Sequence, residues 1–197
     1  MDRPVLRIHQ MIAESRANGP GNRAVLWVQG CSLGCPGCFN PETHPFKRGR
    51  SVTAPELLNE IVPWIEKIEG LTISGGEPFH QGRSLAVFLH LVRTLTTLSV
   101  VVFSGYRLEE LEKIRYAQEA MQYIDVLIAG RFEQDHRLAT GLKGSANKTI
   151  HLLTSRYTLA DLEQTPAGEV LIDPNGDIHL TGIDPITWLP TKTDPTA

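Results

Sequence analysis

The sequence is short of several things at once. Of its 197 residues only three are cysteine and 7% are aromatic. No apolar run approaches the roughly 18 residues that a membrane span needs, and no positively charged apolar leader opens the chain. Neither sign of charge dominates, with 19 Lys and Arg against 22 Asp and Glu and a net charge of -3. That balance argues against a dominant role on nucleic acid or at a membrane surface. A disulfide framework asks for an even cysteine count and usually a small secreted chain. The expectation is a cytoplasmic protein of one ordinary domain size, long enough to bury a real core.

What is present is concentrated. All three cysteines fall within eight positions, Cys31-Ser32-Leu33-Gly34-Cys35-Pro36-Gly37-Cys38. Three thiolates crowded onto one loop make a metal site, and a site one ligand short of four leaves a coordination position open for chemistry. Structural zinc prefers four ligands in paired C-x-x-C spacing, and His44 is the residue placed to supply a fourth.

Around this loop the chain reads as alternating strands and helices. Asn18-Gly19-Pro20-Gly21-Asn22 is a tight turn by composition. Residues 24–29 read as a buried strand ending at Gly30, where the cysteine loop begins. Thr53-Ala54-Pro55-Glu56 has the form of a capping box, followed by Leu57, Leu58, Ile61, Ile65 and Ile68 at helical spacing, with Pro63 dividing that helix. Residues 71–74 form the next strand, stopped by Gly75-Gly76-Glu77-Pro78. A helix follows, its face marked by Leu85, Phe88, Leu89, Val92 and Leu95. Residues 99–103 and 125–128 are two further strands, separated by a helix bearing Leu108, Leu111 and Ile114 and stopped by Ser104-Gly105 and Ala129-Gly130-Arg131. Residues 131–147 read as irregular, 149–153 as an added strand, and 169–172 with 178–180 as a hairpin about Asp173-Pro174-Asn175-Gly176. A Pro- and Thr-rich tail closes the sequence from Asp184.

Strands that are apolar throughout, such as Val100-Val101-Val102-Phe103, predict a parallel sheet covered by helices. In such a sheet the cysteine loop, Gly75-Gly76-Glu77, Ser104-Gly105 and Gly130-Arg131 all leave strand C-termini and gather on one rim. That rim is where α/β folds build active sites.

The spacing C-x-x-x-C-x-x-C, with Gly-Gly-Glu-Pro at the end of the next strand, resembles the radical S-adenosylmethionine superfamily. Within it, Asn18 to Arg23, Gly30 to Asn40, Ser74 to Pro78, Ser104-Gly105-Tyr106 and Lys143 to Asn147 are similar to the activating component of anaerobic ribonucleotide reductase. The resemblance covers roughly residues 15–153. It implies a partial (β/α) barrel of about five or six strands over 1–155, with 156–197 as a C-terminal extension carrying the β-hairpin and tail. It also implies that Cys31, Cys35 and Cys38 hold three irons of a [4Fe-4S] cluster whose fourth iron is chelated by S-adenosylmethionine. Reductive cleavage of the sulfonium then yields methionine and a 5′-deoxyadenosyl radical. The implied partners are a glycyl radical enzyme, first among them anaerobic ribonucleotide reductase, and an electron donor such as a flavodoxin or ferredoxin.

On the same resemblance Gly75 and Gly76, lacking Cβ, let main-chain carbonyls approach the nucleotide, and Glu77 accepts from its α-ammonium group. Gly37 and Cys38 stand beside the cluster, with space at Gly37 for main-chain contact to adenine, and Phe39 packs on the adenine side. Ser104 binds the ribose or carboxylate, and Arg131 neutralises the methionyl carboxylate. Plainer readings stand beside these: a helix-start carboxylate for Glu77, a turn serine for Ser104, a solvated arginine for Arg131 and a core aromatic for Phe39. Two other functions stay open, a radical enzyme acting on a peptide or small molecule and a non-catalytic iron–sulfur or zinc module. Lys47-Arg48-Gly49-Arg50 reads either as a solvated loop or as a dock for an acidic partner or reductant. The histidines show no ligand pairing at helical spacing.

Overall fold

The computed structural model describes residues 4–172 and 175–184. A seven-stranded sheet organises them, in the order β3-β1-β2-β4-β5-β6-β9. Its strands are β1 Val5–Ser15, β2 Arg23–Val28, β3 Arg50–Thr53, β4 Gly70–Gly75, β5 Ser99–Phe103, β6 Val126–Ala129 and β9 Thr149–Leu152. The four strands expected to run parallel do so: β2 with β4, β4 with β5, and β5 with β6. Both flanks are antiparallel, β1 with β2 and β3, and β6 with β9.

The alternation of side chains along each strand divides the sheet into two working faces. Leu26, Ile73, Val100, Val102 and Leu127 share one core with the helices. These are α1 Ala54–Ile61, α2 Gly82–Leu95, and α3 Leu108–Leu111 with α4 Arg115–Met121. The opposite set includes Val101, Phe103, Val126 and Ile128, which pack with Leu142, Leu162 and Ile150. The expected continuous apolar runs are therefore real, but the longer helices cover one face, whereas loops, a cavity and the short helix Leu159–Glu163 occupy the other.

Local chemistry sets the boundaries. The Thr53 and Glu56 capping box starts α1, which gives way at Val62–Trp64 to a 3₁₀ turn containing Pro63. On α2, Leu85, Phe88, Leu89 and Val92 are buried, whereas Leu95, expected on the same face, is 65% exposed at the last turn. The helix expected around Leu108 to Ile114 is two short pieces, α3 and α4, broken at Ile114, which caps the second.

Three elements lie outside the sequence reading. The opening segment is an eleven-residue strand, β1, with register shifts between Ile8 and Gln10 and between Ile12 and Ser15, so its alternation is interrupted. Arg50–Thr53 forms an edge strand, β3. Residues 131–147, expected to be irregular, contain the small hairpin β7 Arg137–Thr140 and β8 Lys143–Ser145. Its connection, Gly141-Leu142, has φ of 58° and 65°, the positive values that a two-residue hairpin turn of the I′ type requires. Past the short helix α5 Leu159–Glu163, β10 Gly168–Ile172 pairs antiparallel with β11 Ile178–Gly182. Asp173-Pro174 of that turn, and the tail beyond Asp184, lie outside the described residues. Among the described residues no helix is long and apolar enough to cross a membrane.

Candidate cluster and nucleotide site

The parallel strands deliver their C-terminal loops to one rim, and main-chain hydrogen bonds zip those loops together. Gly76 N–H donates to Val28 C=O at 2.8 Å and Glu77 N–H to Gly30 C=O at 2.9 Å. A Cβ on Gly76 would stand 2.4 Å from the Gly30 carbonyl oxygen, and one on Gly75, whose φ is 99°, would stand 2.6 Å from the main chain of Val28. The glycine pair thus lets the β4 loop lie directly on the residue that precedes Cys31.

Glu77 completes the arrangement. Its side chain is fully buried and accepts from Phe79 N–H at 3.0 Å, Ser104 Oγ–H at 2.9 Å and Gly105 N–H at 2.7 Å. One carboxylate therefore ties the loop after β4 to the loop after β5. Burial pushes its pKa up from 4.5 to about 6, and the three hydrogen bonds together with Lys148 hold the rise back. Ser104 spends its hydroxyl on this carboxylate, and its oxygen also accepts from Tyr106 N–H at 3.0 Å.

Cys31, Cys35 and Cys38, all free and each partly exposed, line one cavity of ≈ 450 Å³. Ser74, Gly75, Gly76, Glu77, Ser104 and Gly105 line it too, so three of the four rim loops meet around the thiols. His44 shares the cavity. Even so, among the described residues no three Cys, His, Asp or Glu side chains converge to grip a single ion. Three thiolates that each hold a different iron of a cube need no such convergence, so the donor set fits a cluster better than one zinc ion. Burial raises the Cys31 and Cys38 thiol pKa values, and repulsion from neighbouring thiolates adds to the rise, together with Glu77 for Cys31 and Glu42 for Cys38. A site whose thiolates repel one another is relieved by a positively charged iron core.

Phe39 lines the cavity in a tilted pair with Phe132, ring centroids 4.5 Å apart, backed by Arg137 at 5.5 Å and by Gly144. This makes an apolar aromatic wall against which a heterocycle can pack. Gly37 has φ of 67°, and the space expected beside it is taken by Gln134, whose Oε1 would lie 2.3 Å from an added Cβ.

Arg131 is placed elsewhere. Its guanidinium donates to Gly105 C=O at 2.9 Å, pairs with Glu110 and lies 5.0 Å from the Tyr106 ring centre, away from the cavity lining. It braces the loop after β5. Among the described residues the lysine or arginine that does line the cavity is Lys148, directly before β9. Burial draws its pKa down, opposed by the negative charge of Glu77, Cys35 and Cys38, and it donates to Gly130 C=O. Sequence reading missed Lys148, although it follows directly on the singled-out stretch Lys143 to Asn147. It also missed Trp27, whose place on β2 turns its ring into the cavity, and Leu142 at the hairpin turn.

Residues 17–151 match the family model described as a 4Fe-4S single cluster domain. The anaerobic ribonucleoside-triphosphate reductase-activating protein of Vibrio cholerae is 35% identical over 159 residues, covering 76% of this chain and 99% of that one. The chain belongs to this family of activating proteins. Its namesake from Haemophilus influenzae is 37% identical over 141 residues, covering 68% and 90%, and that from Escherichia coli K12 is 31% identical over 156 residues, covering 75% and 99%. Among solved structures, QueE from Escherichia coli is similar at a TM-score of 0.43 and 16% identity over 51% of this chain and 53% of that one. The family match ends at residue 151. The β10–β11 hairpin of this activating-protein relative lies beyond it.

Proposed function

We propose that this chain is a radical S-adenosylmethionine enzyme of the cytoplasm that installs a glycyl radical on an anaerobic ribonucleotide reductase. The observation that carries the reading is that the three-cysteine loop and the Gly75-Gly76-Glu77 loop are zipped together around one cavity with an aromatic wall. Family membership supports the choice of partner.

Cys31, Cys35 and Cys38 would hold the [4Fe-4S] cluster. When bound, the cluster would supply one-electron reduction of the sulfonium of S-adenosylmethionine, whose C–S cleavage to methionine and a 5′-deoxyadenosyl radical would provide the group that takes hydrogen from the target glycine. The chain's own residues bind, orient and exclude. Phe39 and Phe132 receive the adenine. Lys148 faces the methionyl carboxylate, the role that sequence reading gave to Arg131. Glu77 and Ser104 hold the rim loops in register, and Trp27 and Leu142 keep water from the radical. The barrel reading is retained in this form: a half-open sheet whose cavity face is closed by the protein substrate.

The electron donor we assign to an acidic carrier of the flavodoxin or ferredoxin kind. Lys47 and Arg48 are exposed, and their carbonyls are held by Arg7. Phe46, 53% exposed, lies against Gly30 and stacks near His80 on the outer side of the cysteine loop. Arg50 is engaged with Glu60 and is not counted in this patch.

The test is anaerobic reconstitution followed by dithionite and S-adenosylmethionine. 5′-Deoxyadenosine should form, and the partner reductase should acquire a glycyl radical signal in electron paramagnetic resonance. Zinc content with no deoxyadenosine would refute the enzyme reading. Deoxyadenosine without a radical on the reductase would instead favour a peptide or small-molecule substrate.

A further inference from the structure

The β10–β11 hairpin forms a two-stranded sheet of its own. Its register places Val170 opposite Leu180 and Ile172 opposite Ile178, so these four side chains share one face. All four are exposed, at 39%, 40%, 70% and 57% respectively. An apolar strip on a two-stranded ribbon is unusual for a surface that meets only water.

The ribbon is held in place. Thr181 Oγ1 accepts from the Asn18 amide at 2.8 Å, the Glu169 carboxylate accepts from Arg16 N–H at 3.1 Å, and Asp184 pairs with Arg137 at 2.6 Å. These anchors come from the turn before β2 and from the β7 hairpin, so they fix the ribbon against the site. β11 then runs along the cavity, which Ile178, Leu180 and Thr181 help to line. Among the described residues no strand pairs with the outer edge of β11.

We infer that this hairpin is the docking edge for the target polypeptide: an extended segment of the partner reductase lies along β11, with its apolar side chains on Val170, Ile172, Ile178 and Leu180. Ile178 and Leu180 belong both to the strip and to the lining of the cavity that carries the thiols, so a polypeptide lying on the strip is led into that cavity. A strand edge with which no described strand pairs supplies main-chain pairing, and an adjoining apolar strip supplies side-chain contact, the two requirements for strand addition. The inference rests on the proposed function for the identity of the partner. It concerns an element outside the residues that match the family model.

The test uses the full chain carrying Val170→Lys and Ile172→Lys, two residues outside the cavity lining, with Val87→Lys on the helix face as the control. Titration against the cognate anaerobic reductase should show affinity weakened by about tenfold or more for the hairpin pair, as for anchors at the centre of an interface, and unchanged for the control. Deoxyadenosine formed without the reductase should stay at the unsubstituted rate. Equal affinity for the pair and the control would overturn the inference. So would a change from dimer to monomer in sedimentation with reductase binding intact, which would make the strip a contact between copies. If the unsubstituted chain forms no deoxyadenosine, the proposed function falls, while the titration still decides the docking edge.

Discussion

Glu77 links the fold to acid–base behaviour in a way that a single substitution can read out. Its carboxyl is buried, accepts three hydrogen bonds and has its pKa raised to about 6 from the usual 4.5. A carboxyl that binds its proton more tightly when folded favours the folded state at low pH, and that contribution is lost as pH rises through the folded pKa. A 1.5-unit rise corresponds to about 2 kcal/mol, of which about 1.3 kcal/mol is lost between pH 5 and pH 8. Glutamine in its place has one acceptor oxygen and one amide that only donates. It can keep Phe79 N–H and Ser104 Oγ–H but leaves its amide facing Gly105 N–H, costing about 1–3 kcal/mol. At pH 8 that cost is largely offset because no charge is buried; at pH 5 it is not. Urea unfolding of the metal-free chain under reducing conditions should therefore place Glu77→Gln close to the unsubstituted chain at pH 8, and the gap should widen against the variant by about 1.3 kcal/mol at pH 5. Parallel stability profiles for the two chains, or a gap that narrows on acidification, would refute the argument that this carboxylate is buried at an electrostatic cost.

Replacing Cys31, Cys35 or Cys38 singly by Ser should remove the iron–sulfur absorbance after anaerobic reconstitution and abolish deoxyadenosine formation, with far-ultraviolet circular dichroism unchanged, because the loop is outside the core. Gly76→Ala drives a methyl into the main chain of Gly30, which has to shift, and should lower both the unfolding temperature and, severalfold, iron retention. Arg23 is fully buried, with its guanidinium donating to Thr72, Pro20, Ser99, Tyr157 and Leu71, so Arg23→Met should destabilise by about 3 kcal/mol in urea titration. Lys47→Glu with Arg48→Glu should slow bleaching of the cluster by reduced flavodoxin several-fold and flatten or invert the slowing that added salt causes in the unsubstituted chain, leaving dithionite reduction unaffected; equal slowing by both reductants would refute the docking patch.

The thiol loop and the four parallel strands were legible because both are written in local sequence. Three cysteines at fixed spacing need no tertiary information to be read as a metal loop, and the apolar runs of β2, β4, β5 and β6 admit few alternatives to a buried sheet. The Thr53 capping box and Pro63 likewise act within a few residues of themselves. β1 was not legible, since its bulges interrupt the alternation and it becomes a strand by pairing with β2 and β3. The turn at Gly141-Leu142 was missed because Leu is seldom held at positive φ, and here burial of Leu142 against β5 and β6 imposes it.

For the site, the sequence determined which thiols stand together on one loop and which loops share a rim, because covalent order and strand polarity fix both. Only the tertiary structure decided how charges are allotted on that rim. Arg131 and Lys148 lie 17 positions apart on the two sides of a hairpin, and composition offers no preference between them. The Gly105 carbonyl and Glu110 draw the longer guanidinium outward, while the antiparallel pairing of β9 with β6 brings Lys148 to the thiols. A side chain's direction follows from the partners that three-dimensional packing presents to it, and those partners are distant in sequence.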